Sequence, residues 1–380
     1  MRFLNYTGST DWDIVANRCD EIDGLSEEEK IKVKKAFSFL KNEFGVDYLK
    51  EVGNEHYFYF HIHNYAPPSR LWFAYVAEMI ERVKDFSNYN SLLKRLKNPK
   101  KFREAYTVLE TAYNYGNDGF NIEFDPVINI KSKNKVPDLK LINVVTKEEL
   151  ICEVSISFTS VKQNEAFDNE TEIFNAVISN DGLEFAGRVI KTLSEIEKSQ
   201  IKNTILNFAE SVKEGNGFGV LVIEDVLLLG YATPENVKKL EDWAKNNGCN
   251  VRSFEGPYFD VDEIRRIENK INEKKRQLPY DNAGIIMIYD SDFFHSIRSI
   301  QEAVVFLEKT LAKISNIAAV IIQGKFMGSI NPLKIRIGKH LFIQKMGKDT
   351  FVEKYLIIWN EHCSFKLTED TISKIYWSIE

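Results

Sequence analysis

The segment KVPDLKLINVVTKEELICEVSIS, residues 135–157, contains two acidic side chains in otherwise apolar stretches. Asp138 follows Pro137 at the start of one stretch, and Glu153 lies inside the next. Side chains alternate across a strand, so Glu153 and Ser155 share one face. A hairpin that joins the two stretches would bring both carboxylates to one edge, and hard cations such as Mg²⁺ take such oxygens as ligands. Three interpretations stay open: a metal site for cutting phosphodiesters, a site that has lost its chemistry, or a solvated hairpin.

The helix that precedes this hairpin offers a third carboxylate. The segment NPKKFREAYTVLETAYNYGNDG predicts a helix that begins at Pro99 and ends at Gly116 or Gly119. At about 100° per residue, Glu104 points to solvent, whereas Glu110 flanks the buried stripe. We therefore expect Glu110 to join the hairpin carboxylates in one cleft, where a bound ion would activate water and neutralise charge on a phosphoryl oxygen.

This order of elements resembles that of the PD-(D/E)XK nuclease superfamily, whose folds are restriction-endonuclease-like. The resemblance covers roughly residues 98–160, and residues 261–322 match the rest of that core as helix, strand, helix, strand. It implies that Asp138 and Glu153 are the principal ligands of Mg²⁺ or Mn²⁺, and that Glu110 holds a second ion or a metal-bound water. The alternative is structural: proline is tolerated at a strand start, and Glu153 pairs with a nearby lysine.

The family lysine, which orients or activates the attacking water two residues after the glutamate, is absent here. Ser155 stands in its place and would at most form a hydrogen bond. Catalysis then requires a lysine from elsewhere, because a cation helps an anionic nucleophile approach a phosphate. Lys274 and Lys275 flank the apolar stripe of the helix predicted within VDEIRRIENKINEKKRQLP, and Lys162 is a weaker candidate.

A basic run at residues 94–103, KRLKNPKKFR, is the strongest signal for a nucleic-acid partner. It has no acidic residue, and such a patch can follow a phosphate backbone. A solvated helix face explains the run equally well. A second basic stretch, KSKNK at 131–135, is either a backbone contact beside Asp138 or a polar turn. The candidate contacts of the basic run are Lys94, Arg95, Lys97, Lys100, Lys101 and Arg103.

Two other groups of chemistry-bearing residues favour structural roles. The strand-like segment EHYFYFHIHNYAPP carries His56, His61 and His63, but no further ligand follows at metal-site spacing. Asp290, at the end of the apolar strand IIMIYD, is best explained as the cap of the next helix.

The length of 380 residues predicts two or three folding units. We expect a partly helical N-terminal domain at 1–97, a nuclease-like core at 98–330 with an insertion at about 160–260, and a C-terminal extension at 331–380 that adds strands or a cap. Alternating helices and apolar strands predict an α/β (α+β) class, with a restriction-endonuclease-like mixed central sheet flanked by helices.

Composition sets limits on function and location. The net charge of −6 argues against a protein that coats nucleic acid over its whole surface, and no apolar stretch is long enough to span a membrane. Four scattered cysteines and the absence of a secretory signal favour a cytoplasmic protein.

The sequence thus favours a metal-dependent DNA endonuclease or nuclease subunit. The alternative is an inactive nuclease-fold protein that binds nucleic acid or a protein partner. The sequence does not specify the target sequence or whether the substrate is DNA or RNA. It also leaves open whether the protein forms a homodimer or a complex with another protein.

Overall fold

The computed structural model describes residues 11–52, 56–130, 133–157, 171–191, 193–256, 263–297, 299–326, 330–347 and 351–379. Lys162 lies outside the described residues, as do residues 131 and 132 of the basic stretch. The chain divides into two compact units, Met1–Ser157 with Asp262–Glu380, and Phe158–Val261.

Helices occur in both units, and short 3₁₀ turns lie at Arg18–Glu21 and Pro234–Asn236. The helix α2 begins with a capping box, in which the Ser26 and Glu29 side chains each accept a hydrogen bond from the other's backbone N–H. The described helices are α1 (Trp12–Asn17), α2 (Glu27–Phe44), α3 (Tyr48–Val52), α4 (Tyr57–His63), α5 (Pro67–Val83), α6 (Tyr89–Leu96), α7 (Phe102–Asn117), α8 (171–178), α9 (Glu195–Glu214), α10 (Val237–Asn246), α11 (Glu263–Lys274), α12 (Ser291–Ser296), α13 (Ile300–Leu311) and α14 (Glu369–Trp377).

The first unit is built around an eight-stranded mixed sheet in the order β1-β4-β5-β10-β11-β14-β13-β12. The strands β1, β4 and β5 form an antiparallel meander, β5, β10 and β11 are parallel, and the remaining strands are antiparallel. The described strands are β1 (Phe120–Phe124), β2 (Ile128–Ile130), β3 (Lys133–Lys135), β4 (Leu139–Asn143), β5 (Glu149–Ile156), β6 (Glu184–Val189), β7 (Phe218–Ile223), β8 (Leu227–Ala232), β9 (Phe254–Glu255), β10 (Ala283–Tyr289), β11 (Ile317–Phe326), β12 (Leu333–Ile337), β13 (His340–Met346) and β14 (Val352–Trp359).

The central parallel strands are apolar on both faces because helices cover both sides of the sheet. One face carries α2, α5 and α7, and its hydrophobic cluster includes Leu109 of α7 and Cys152 of β5. The other face carries α11 and α13, and its cluster includes Ile151 of β5 and Ile271 of α11. We call these the α7 face and the α11 face. The predicted mixed sheet flanked by helices, with a helical N-terminal part, is confirmed.

The two ends of the chain contribute directly to this unit. The helices of residues 1–97 were predicted to form a separate domain, but they share one hydrophobic cluster with the sheet. Residues 331–380 add β12, β13 and β14 to the same sheet, followed by α14.

The second unit, Phe158–Val261, has its own four-stranded sheet in the order β7-β8-β6-β9. Its hydrophobic cluster joins α9 to this sheet through residues such as Ile205 and Leu229. This unit corresponds to the segment at about 160–260 that the sequence marks as an insertion into the core.

Several local predictions were wrong. The segment around His61 is the helix α4 rather than a strand, because its aromatic residues pack inside a helical core where Phe58 is fully buried. Within the second unit, residues 184–189 form β6, and β7 and β8 form an antiparallel hairpin. The helix α7 begins at Phe102 rather than Pro99.

None of the helices in the described ranges combines the length and apolar character that crossing a bilayer requires. All four cysteines are buried and form no disulfide bond.

Candidate functional site

The β4–β5 hairpin places Asp138 opposite Glu153. The antiparallel register pairs Leu139 with Cys152, and continuing it by one residue pairs Asp138 with Glu153. Directly opposed side chains have Cβ atoms about 5 Å apart and lie on one face of the sheet. For this pair the face is the α11 face, since Ile151 of the same strand belongs to its cluster. The predicted hairpin is confirmed, and it joins the two acidic residues.

Glu153 is a buried carboxylate, 1% exposed. Its pKa is raised to about 7: burial is the largest cause, the nearby charge of Asp138 adds to the rise, and the Lys274 ammonium opposes it. Glu153 Oε2 accepts a hydrogen bond from Lys274 Nζ at 2.9 Å. Its other oxygen, Oε1, is buried and has no hydrogen-bond partner within the described ranges.

Lys274 comes from the last turn of α11. Ile267 and Ile271 bury the same side of this helix in the α11-face cluster. Lys274 follows them by seven and three residues, so it continues that side and reaches the sheet. Burial lowers the pKa of Lys274, but the charges of Glu153 and Asp138 outweigh burial and raise it overall. Lys275, the other lysine proposed from the sequence, hydrogen-bonds Asn272 Oδ1 at 2.6 Å instead.

Asp138 is held by two further contacts. Its Oδ1 accepts a hydrogen bond from Arg95 Nη1 at 3.0 Å, and its Oδ2 accepts one from the Val154 backbone N–H at 3.0 Å. Arg95 Nη2 also lies 3.0 Å from Asp125 Oδ1. The backbone N–H of Asp125 donates to the Asp138 carbonyl oxygen at 3.0 Å, which fixes the two aspartates beside each other. Asp125 was not predicted as a site residue, although it lies directly after the end of β1, just as Asp138 lies directly before the start of β4.

The structure does not bring Glu110 to Asp138 and Glu153. Glu110 is buried on the α7 face, where its Oε1 contacts Lys325 Nζ and accepts a hydrogen bond from Tyr75 at 3.4 Å. Lys325 Nζ also lies 3.3 Å from Glu353 Oε1. The predicted flank position of Glu110 is correct, but helical periodicity does not say which face of the sheet the helix covers.

The remaining sequence candidates occupy different environments. Ser155 is buried on the same face as Glu153. Asp290 caps α12 by accepting a hydrogen bond from the Phe293 backbone N–H at 3.0 Å, as predicted. His61 stacks on Trp72 with ring centroids 4.0 Å apart, which is a packing role.

The basic run spans the end of α6, a turn and the start of α7. Arg95 lies inside the candidate site, and the half-buried Lys97 places its Nζ 5.9 Å from the Phe44 ring centroid. Four members are exposed and offer positive charge beside the site: Lys94, Lys100, Lys101 and Arg103.

Asp138 and Glu153 fit a divalent cation as a two-carboxylate site. Glu153 Oε1 is a buried acceptor with no hydrogen-bond partner among the residues described, and a cation would relieve the repulsion that helps raise the pKa of Glu153. Mg²⁺ is commonly held by one or two carboxylates, with water and substrate completing its shell. Among the residues that the structure describes, no three acidic, histidine or cysteine side chains are grouped to share one ion.

No protein-family model matches the chain, and neither a curated protein nor a solved structure matches it.

Proposed function

We propose that the protein is a metal-dependent nuclease that hydrolyses phosphodiester bonds, with DNA as its substrate. One observation carries the proposal: Asp138 opposes Glu153 across the hairpin, and Lys274 reaches Glu153 Oε2 at 2.9 Å from a different helix. This arrangement supplies two carboxylates and one lysine, the set that the PD-(D/E)XK resemblance requires, although Ser155 occupies the usual lysine position.

The order of elements supports the same proposal. The helix α7 precedes the antiparallel meander of β1, β4 and β5, and α11 then leads to β10, which is parallel to β5. This is the helix, three strands, helix, strand order expected of a restriction-endonuclease-like core. Restriction, repair or defence against foreign DNA is the setting that the resemblance implies, and we infer a cytoplasmic location.

The proposed roles follow from position and charge. Asp138 and Glu153 would hold Mg²⁺ or Mn²⁺, which when bound supplies Lewis-acid stabilisation of charge on a phosphate. Lys274 places a cation beside the carboxylates, where it can orient the nucleophile and offset the negative charge of an approaching phosphate. The exposed lysines of the basic run would contact the nucleic-acid backbone. Glu110 has no part in this site.

A lysine paired with a buried glutamate is also what a purely structural ion pair requires. One observation favours an inactive nuclease-fold protein that binds nucleic acid: both oxygens of Asp138 already accept hydrogen bonds, from Arg95 and Val154. Cleavage separates the two functions, because the inactive protein would bind nucleic acid without hydrolysing it.

The test is cleavage of plasmid DNA, linear duplex, single-stranded DNA and RNA with Mg²⁺ or Mn²⁺. We expect Asp138→Asn and Glu153→Gln each to reduce the cleavage rate by about 10²-fold or more. The matched control is Glu149→Gln, because Glu149 lies at the exposed start of the same strand and pairs with Lys140 at 2.8 Å instead of Lys274. Binding of these nucleic acids without cleavage of any of them would favour the inactive protein.

A further inference from the structure

Arg95 is the only side chain of the basic run with described ion pairs to both Asp125 and Asp138. Its guanidinium lies 3.0 Å from a carboxylate oxygen of each aspartate. A guanidinium has five donors in a planar fork that also matches two oxygens of a phosphate. The contacts that hold Arg95 in the free protein are therefore of the kind that a phosphodiester can replace.

The position of Arg95 allows this exchange. Its side chain is 21% exposed, although Nε and Nη2 are buried, and those of Asp125 and Asp138 are 17% and 16% exposed, so the pairs are half-buried and partly open to solvent. Arg95 occupies the last turn of α6, next to the exposed Lys94. A nucleic-acid backbone that follows the basic run would reach the Arg95 guanidinium.

Removing Arg95 from Asp138 changes the charge that a cation meets. With all groups ionised, Asp125, Asp138 and Glu153 are opposed by Arg95 and Lys274, which leaves one negative charge in excess. When the guanidinium turns to a phosphate, the excess becomes two, and Asp138 Oδ1 becomes available. Both changes favour binding of a divalent cation.

We propose that Arg95 is a phosphate-responsive latch on Asp138. In the free protein it competes with a divalent cation for the carboxylate, and a bound phosphodiester releases it. Nucleic acid and metal then strengthen each other's binding, since coupling between two ligands is reciprocal. This inference rests on the proposed function, because it assigns the metal to Asp138 and Glu153 and the phosphate to a nucleic acid.

The experiment measures Mn²⁺ affinity by electron paramagnetic resonance, so that its readout does not depend on activity. Wild type, Arg95→Ala and Lys313→Ala are titrated alone and with DNA whose phosphorothioate linkages resist cleavage. Lys313→Ala is the control, because it removes an exposed positive charge that lies outside the basic run. Arg95→Gln keeps much of the side-chain volume and provides a second test if the alanine variant does not fold.

In wild type, we expect DNA to tighten Mn²⁺ binding about 10-fold or more, within the usual range of coupling between sites. Arg95→Ala should bind Mn²⁺ more tightly than wild type without DNA, and DNA should add little. Lys313→Ala should retain the wild-type coupling. The latch is overturned if Arg95→Ala and Arg95→Gln bind Mn²⁺ no more tightly than wild type, or if DNA tightens Mn²⁺ binding equally in wild type and these variants.

The latch and the proposed function fail separately. DNA-coupled Mn²⁺ binding that Asp138→Asn abolishes, in a protein that cuts no nucleic acid, would support the latch and overturn the nuclease. Cleavage without coupling between DNA and Mn²⁺ binding would support the nuclease and overturn the latch. Absence of Mn²⁺ binding under every condition would overturn the latch and the metal-dependent site together.

Discussion

Lys274 Nζ lies 2.9 Å from Oε2 of Glu153, although the two residues are 121 positions apart in the sequence. The contact brings the end of α11 onto β5 and places a half-buried ammonium beside a buried carboxylate. Lys275 follows Lys274 directly but points to Asn272.

Replacing Lys274 and Lys275 one at a time should therefore show that they have different roles. If the protein cuts nucleic acid, we expect Lys274→Ala to lower the cleavage rate by about 10²-fold or more, the scale of losing one transition-state charge contact. Lys275→Ala is the control and should keep nearly full activity. Single-turnover rates with Mg²⁺ provide the measurement, and full activity in Lys274→Ala would exclude its catalytic role.

The raised pKa of Glu153 should make stability depend on pH. Its carboxyl group has an ordinary pKa of 4.5 and a pKa of about 7 in the folded protein. A raised pKa stabilises the fold fully below pH 4.5, and this contribution is lost as the pH rises through about 7. The loss is about 3–4 kcal/mol, for a shift of about 2.5 pKa units at about 1.4 kcal/mol per unit.

Urea denaturation of wild type and Glu153→Gln at several pH values between 4.5 and 8 measures this effect. Burial lowers the pKa of His56 and of His61 to about 4. Their contribution to the stability of the fold therefore changes in the opposite direction: it is lost as the pH falls from 6.5 towards 4. Both proteins retain these histidines, and the difference between them isolates Glu153. A difference that does not change with pH would contradict the prediction.

Lys325 should be a stability residue rather than a catalytic one. Its ammonium forms ion pairs with two buried carboxylates, those of Glu110 and Glu353. Lys325→Met would leave both without this partner and should lower the free energy of unfolding by about 3 kcal/mol, as expected for breaking a buried ion pair.

Adding Glu110→Gln to Lys325→Met should recover part of the lost stability, because it removes one of the uncompensated charges. Lys313→Met, at an exposed lysine, is the control and should change the free energy of unfolding little. Equal destabilisation by the single and double variants would show that charge is not the cause.

The exposed lysines of the basic run should govern non-specific affinity for nucleic acid. Changing Lys94, Lys100 and Lys101 together to alanine should weaken binding of all sequences and reduce the salt dependence by about one unit per lost phosphate contact. The matched control changes three exposed lysines of α10, Lys238, Lys239 and Lys245. Fluorescence anisotropy at several salt concentrations is the measurement, and an unchanged salt dependence would identify the run as a solvated surface.

The sequence alone determined the local elements of the site. Alternation along β5 predicts that Glu153 and Ser155 share a face, and the polar turn between the two apolar stretches predicts the hairpin that brings Asp138 beside Glu153. The apolar stripe of α11 also leaves few lysines that could replace the family lysine at position 155, because only Lys274 and Lys275 flank the stripe. These features depend on neighbouring residues and on the geometry of single elements, so they can be predicted without the fold.

The tertiary structure decided which distant groups meet. Periodicity places Glu110 on the flank of α7, but only packing puts α7 on the face opposite Glu153, where Lys325 pairs with it. The aromatic residues around His61 suit a strand or a buried helix, and packing against Trp72 selects the helix. The Arg95 contact with Asp138 likewise depends on how α6 meets the sheet. Contacts between elements far apart in the chain depend on how those elements pack, which the periodicity of each element alone does not specify.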